Sequence, residues 1–147
     1  MKSRKTNVRF DPINPAMTLF HSRYWANHMV YILRADKSVH YQNGRSRIVY
    51  IGETKRGTKR PAGSVASKAR EAFRKLRGVK KIDVHPLTFK GTQNVKTWEV
   101  LERDLLATFN EKHGALPLYN TMGRGFSVKN ISRFRKKRLL AIIERLG

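Results

Sequence analysis

Apolar residues along this chain fall into two rhythms. Met29 to Leu33 (MVYIL) and Arg47 to Gly52 (RIVYIG) are short runs of β-branched and aromatic side chains, the composition of strands. Asn43-Gly44 between them is a strong turn dipeptide, so the two runs predict a hairpin with a longish connection. Ile82 to Phe89 alternates apolar and polar residues and predicts a third strand, with Pro86 marking an edge or a bulge. The second rhythm is helical. Val65, Ala69, Ala72, Phe73 and Leu76 share a face, with Ser64 as N-cap and Gly78 as the stop. Trp98, Leu101, Leu105, Ala107 and Phe109 predict a helix over Thr97 to Lys112. A third helix is expected from Ser127, basic at its start and amphipathic at its end. Its Leu139, Ile142, Ile143 and Leu146 would pack onto the body or onto a second subunit.

The order strand, strand, helix, strand, helix, helix predicts a small α/β (α+β) sandwich. Its three-stranded sheet, mixed or antiparallel, is flanked by helices, and a basic helix closes the chain. The expected organisation is an arm over 1–27, a main domain over 28–123 and the C-terminal helix over 124–147. The arm carries the turn-rich DPINP from Asp11, then Phe20, Tyr24 and Trp25 to pack it down.

Charge narrows the partners. Lys and Arg number 32 against 10 Asp and Glu, a formal net charge of +22. Self-repulsion of that size opposes a compact fold and points to a polyanion, nucleic acid first. Four clusters carry it, KSRK near the N-terminus, TKRGTKR, RKLRGVKK and RFRKKR. Such clusters bind phosphates, with steep salt dependence and no sequence information. No apolar stretch approaches the roughly 20 residues of a membrane-spanning helix. The basic N-terminus is not followed by the apolar stretch of a signal peptide, so a cytoplasmic, intracellular protein is expected. The absence of cysteine excludes disulfides and cysteine-ligated zinc. The five histidines are scattered without the helical i, i+4 pairing of a zinc site.

Tyr31 and Tyr50 stand at matching points of the two strand-like runs. By propensity alone both are ordinary strand aromatics. Glu102 is a solvated helix residue or a border of the apolar face, Asn120 a turn residue, and Arg70 a solvated charge. Taken in order, however, these residues resemble the GIY-YIG endonucleases. Met29-Val30-Tyr31 stands at the first motif, with Met29 in place of its glycine, and Tyr50-Ile51-Gly52 matches the second. Glu102 in the second helix and Asn120 in PLYN occupy the places of the family's glutamate and asparagine. The family's helical arginine has two candidates: Arg60, eight positions after Gly52, and Arg70, inside the better helix and favoured here. Arg74 stands where some members carry a histidine or tyrosine.

The resemblance implies a divalent-metal-dependent endonuclease cutting DNA, in restriction, mobility or repair. Glu102 would hold one Mg²⁺ or Mn²⁺ per site, a hard cation suited to a single carboxylate and retained waters. The arginine would neutralise the phosphate through its bidentate fork. Tyr50 would act as general base, its phenol acidified by surrounding cations, with Tyr31 orienting it. Double-stranded DNA is the expected partner, with Lys55, Arg56, Lys59, Arg74, Arg133, Lys136 and Lys137 on phosphates, and a homodimer is open. The alternatives are a non-catalytic DNA- or RNA-binding module and a structural RNA-binding protein.

Overall fold

A computed structural model describes residues 29–54, 59–87, 95–121 and 134–147. The expected N-terminal arm, with Phe20, Tyr24 and Trp25, lies outside the described residues. The elements are β1 (Met29–His40), β2 (Arg45–Thr54), α1 (Lys59–Lys75), β3 (Ile82–Leu87), α2 (Val95–His113) and α3 (Lys136–Leu146). They form an α+β fold on one three-stranded sheet of order β2-β1-β3. Both pairings are antiparallel, which resolves the mixed-or-antiparallel expectation.

The period of two in β1 sorts its side chains between two cores. Val30 and Ile32 join Ile48 and Ile51 in a cluster with Trp98, Leu101, Leu105 and Phe109 of α2 and Leu139 and Ile143 of α3. Tyr31, Leu33 and Ala35 join Val49, Ala72, Val79 and Tyr119 in the second, with Val65 and Leu76 packed against it. The sheet therefore has α2 and α3 on one face and α1 on the other. Each fully buried Ile or Leu contributes roughly 1.5–3 kcal/mol of apolar transfer.

β1 and β2 are longer than the apolar runs predict. Residues 34–40 continue β1 despite a polar sequence, because β3 pairs along it as far as Ala35↔Ile82 and β2 pairs with its end at Val39↔Ser46 and His40↔Arg45. The Asp36 N–H also donates to the Lys81 carbonyl at 3.0 Å. Against β2 the register slips between Arg34 and Val39, a bulge that absorbs the extra residues. Gly44 turns the hairpin at φ 88°. Tyr41 anchors this end: its hydroxyl donates to the Ile48 carbonyl at 2.6 Å and accepts from the Leu118 N–H at 3.2 Å. Burial pushes its phenol up to about 12, with the Leu118 bond opposing.

α1 begins at Lys59, five residues before the expected start at Ser64, which lies inside the helix. Proline is tolerated in a first turn, where its missing N–H has no partner to lose, so Arg-Pro-Ala-Gly opens the helix rather than preventing it. α2 runs Val95–His113, close to expectation. β3 ends at Leu87, with Pro86 on an edge strand as its missing donor requires.

The last helix is shorter than expected. Ser127 to Arg133 lie outside the described residues, and α3 starts only after Arg135, whose backbone is extended. Lys136, Lys137 and Arg138 in the first turn oppose the helix dipole, and no side chain caps it. Packing holds it instead: Leu139 and Ile143 are buried against the body, with Ile142 and Leu146 beside them. On this apolar face Leu139 and Ile143 therefore pack onto the body. Its end is tied by Arg34, whose Nε donates to the Leu146 carbonyl at 3.0 Å.

Candidate active site

The tyrosine pair is present as a pair. Tyr50 lies opposite Leu33 and Tyr31 opposite Gly52 in the β1–β2 register, so both rings project to the α1 face. Their centroids are 6.0 Å apart with planes tilted 45°. This lies in the range of favourable aromatic pairs, worth roughly 0.5–1.5 kcal/mol beyond burial. Tyr31 is 2% exposed and Tyr50 half-buried, so Tyr50 is the phenol nearer solvent.

Gly52 makes the arrangement possible. Two residues after Tyr50, it shares that residue's face of the strand. A Cβ built at Gly52 would stand 2.5 Å from Cε1 of Tyr50 and 2.9 Å from its hydroxyl oxygen. The Tyr50 ring therefore leans along its own strand over the bare glycine. The glycine is needed for space, not for a positive φ.

Among the described residues, Lys68 brings a cation to this pair. Its Nζ stands 5.7 Å from the Tyr50 ring centroid. Arg70 is exposed on the outer side of α1. Two residues along a helix is about 200° of rotation, so Lys68 and Arg70 cannot both face the sheet. The apolar positions 65, 69, 72 and 76 already imply this, since position 68 lies nearer their stripe than position 70. Arg60 and Lys59 open α1 as backbone positions. Arg74 is exposed, two turns of charge being continued by Lys75, which pairs with Glu71 at 2.7 Å.

Tyr119 is a third phenol on this face, missed by the sequence reading. It is 7% exposed, and its hydroxyl has no hydrogen-bond partner among the described residues. Burial raises its pKa, and the Glu71 carboxylate adds to the rise. Its neighbour Asn120 is committed to the backbone of β2. The Asn120 Nδ2 donates to the Ile51 carbonyl at 2.7 Å and its Oδ1 accepts from the Ile51 N–H at 2.9 Å.

Glu102 is half-buried on α2, whose apolar stripe packs on the other face of the sheet. The C-terminal end of α2 is fixed at the hairpin by Phe109, edge-on to Tyr41, and by His113 Nδ1, 3.2 Å from the Asn43 carbonyl. Glu102 thus lies on the half of α2 that points away from the hairpin. A site shared with Tyr50 has to form around the β2 edge or the strand end. Among the described residues no group of three or more His, Asp or Glu side chains gathers at one point.

Of the expected phosphate contacts, Lys55, Arg56 and Arg133 lie outside the described residues. Lys137 is exposed, while Lys136 pairs with Glu111 at 2.6 Å. In the RKLRGVKK cluster Lys81 pairs with Asp83 at 3.1 Å. No helix among the described residues is long and apolar enough to cross a membrane. Compared with known proteins, the chain matches no family model, no curated protein and no solved structure.

Proposed function

We propose that the chain is a divalent-metal-dependent DNA endonuclease of GIY-YIG type. The observation that carries this reading is the Tyr31–Tyr50 pair, 6.0 Å apart on adjacent strands, with Gly52 hollowed out beneath the outer ring. On this reading Tyr50 takes the proton from the attacking water and Tyr31 fixes the position of its ring. Lys68 over the Tyr50 ring favours the phenolate, the state a general base requires. Glu102 is the residue to hold Mg²⁺ or Mn²⁺, and a half-buried carboxylate on a helix fits an ion that keeps most of its waters. When bound, such an ion supplies Lewis acidity at the leaving oxygen.

Asn120 and Arg70 favour a second reading, a DNA-binding module that does not cut. The amide of Asn120 is engaged by β2, and Arg70 faces away from the tyrosines. The two readings separate on supercoiled plasmid incubated with Mg²⁺, with and without EDTA, using wild type and Glu102→Ala. Nicked or linear DNA that requires both metal and Glu102 supports the nuclease. Plasmid retarded on a gel but left intact by both proteins supports the binding module.

A further inference from the structure

A cleft of about 810 Å³ opens between β3, α2 and α3, on the far side of the sheet from the tyrosines. Its floor is apolar: Pro86 and Leu87 of β3, Leu101 of α2, and Leu139 and Ile142 of α3. Phe134 stands at the start of the α3 wall. Arg135, Arg138 and Arg145 complete the lining, and no acidic residue takes part in it. All three arginines are exposed, and none of their guanidiniums makes an ion pair among the described residues. The acids nearest in sequence are already used: Glu111 by Lys136 and Glu144 by Lys112. Three exposed cations around an apolar floor suit an anion with an apolar body.

We infer that this cleft binds an unpaired stretch of a DNA strand, with bases on the apolar floor and phosphates on the arginine rim. The volume lies within the roughly 300–1,000 Å³ of ligand sites. From Arg135 to Arg145 the rim runs about 15 Å at the helical rise, room for about four nucleotides at the ~3.4 Å charge spacing of one strand. A duplex does not fit the chemistry, because its base faces are stacked inside and only phosphates and edges meet a protein. A second copy of this chain would bring like charge to the rim, given the net +22. A single strand offers both an exposed π-face and a phosphate, which is what charged grooves with apolar and aromatic platforms take up. This inference needs DNA as partner but not cleavage, so it stands or falls separately from the nuclease reading.

The test is fluorescence anisotropy with labelled oligo-dT, an abasic strand of the same length, and a duplex, all in EDTA so that nothing is cut. Wild type binds oligo-dT at least about fivefold tighter than the abasic strand, the low end of base stacking. Arg138→Ala/Arg145→Ala weakens oligo-dT and lowers its log–log salt slope by about 0.7 per guanidinium removed. Phe134→Ala erodes the preference for bases, while Lys37→Ala, a charge removed elsewhere, leaves that preference intact. Circular dichroism melts confirm that the variants fold, and Arg138→Gln/Arg145→Gln repeats the test with longer side chains. Equal affinity for abasic and base-bearing strands overturns the inference. So does unchanged oligo-dT binding and salt slope in both arginine double variants. Uncut plasmid in Mg²⁺ together with an intact base preference would sink the nuclease reading and leave the cleft standing.

Discussion

Asn120 pairs with Ile51 across 69 residues of sequence as a strand residue would, one amide group accepting from its N–H and donating to its carbonyl. Beside it the Tyr119 N–H donates to the Val49 carbonyl at 2.9 Å. Asn120→Ala removes both side-chain bonds, each worth roughly 0.5–1.5 kcal/mol net, so a loss of about 1–3 kcal/mol is expected in urea unfolding. Asn120→Asp at neutral pH is expected to be worse, because a carboxylate would face the Ile51 carbonyl. A large fall in DNA cleavage by Asn120→Ala with an unchanged unfolding midpoint would assign the residue to chemistry instead.

Gly52→Ala drives a methyl group into the Tyr50 ring, and overpacking of that kind typically costs about 1–3 kcal/mol. Tyr50→Ala removes the obstacle. The double variant Gly52→Ala/Tyr50→Ala is therefore expected to be more stable than the two single effects add up to. A double-mutant cycle on unfolding free energy measures this coupling, and strict additivity would show that Tyr50 does not lean over Gly52.

On plasmid cleavage, Tyr50→Phe is expected to lower the rate by about 10²–10⁴, the range for removing a positioned general base. Lys68→Gln is expected to lower it by roughly two- to thirtyfold, equivalent to the ~0.5–2 kcal/mol of a cation over a ring, and to move the ascending limb of the pH–rate profile, on which the general base loses its proton, to higher pH. Arg70→Gln should affect salt dependence more than the pH profile. If Arg70→Gln moves the profile and Lys68→Gln does not, Arg70 rather than Lys68 serves the tyrosine.

His113 is buried, and desolvation lowers its pKa from 6.5, partly offset by the bond to the Asn43 carbonyl. His85 is shifted the same way, again chiefly by burial. The unfolded chain takes up these protons first as pH falls through about 6.5, so it binds more protons than the folded chain in that window. Stability is therefore full above that pH and declines below it. Denaturation midpoints at about pH 7.5 and 5.5 are expected to fall in wild type and to fall less in His113→Gln. An identical fall in the variant would remove His113 from the account.

What the sequence makes legible is local. The Asn43-Gly44 turn, the apolar stripes of α1 and α2 and the apolar end of α3 are each written within a few neighbouring residues. The extension of β1 is not written so locally: Arg34 and Ala35 pair with Asp83 and Ile82 of β3, more than forty residues away, while Val39 and His40 pair with Ser46 and Arg45 of β2 beyond a slip in register. Pro61 looks like a breaker in isolation, but it is the third residue of α1, in a first turn that tolerates it. The tyrosine pair could be read from two matched strands, whereas the commitment of Asn120 to Ile51 depends on where the PLYN loop lands. Lys68 was within reach of the helical wheel; a motif that asks for an arginine draws the eye past it.

The loop that covers β2 has a consequence for how copies of this chain meet. Val49 and Ile51 are alternate residues, the ones whose polar groups face outward from that strand, and the Tyr119–Asn120 segment occupies both. On the other side, Pro86 interrupts the donors of β3. Neither margin offers an unbroken ladder for a foreign strand to extend, which protects the molecule from the sheet-to-sheet stacking that starts aggregation. Among the described residues, the helices and loops are left as the surfaces on which another chain would meet this one without extending the sheet.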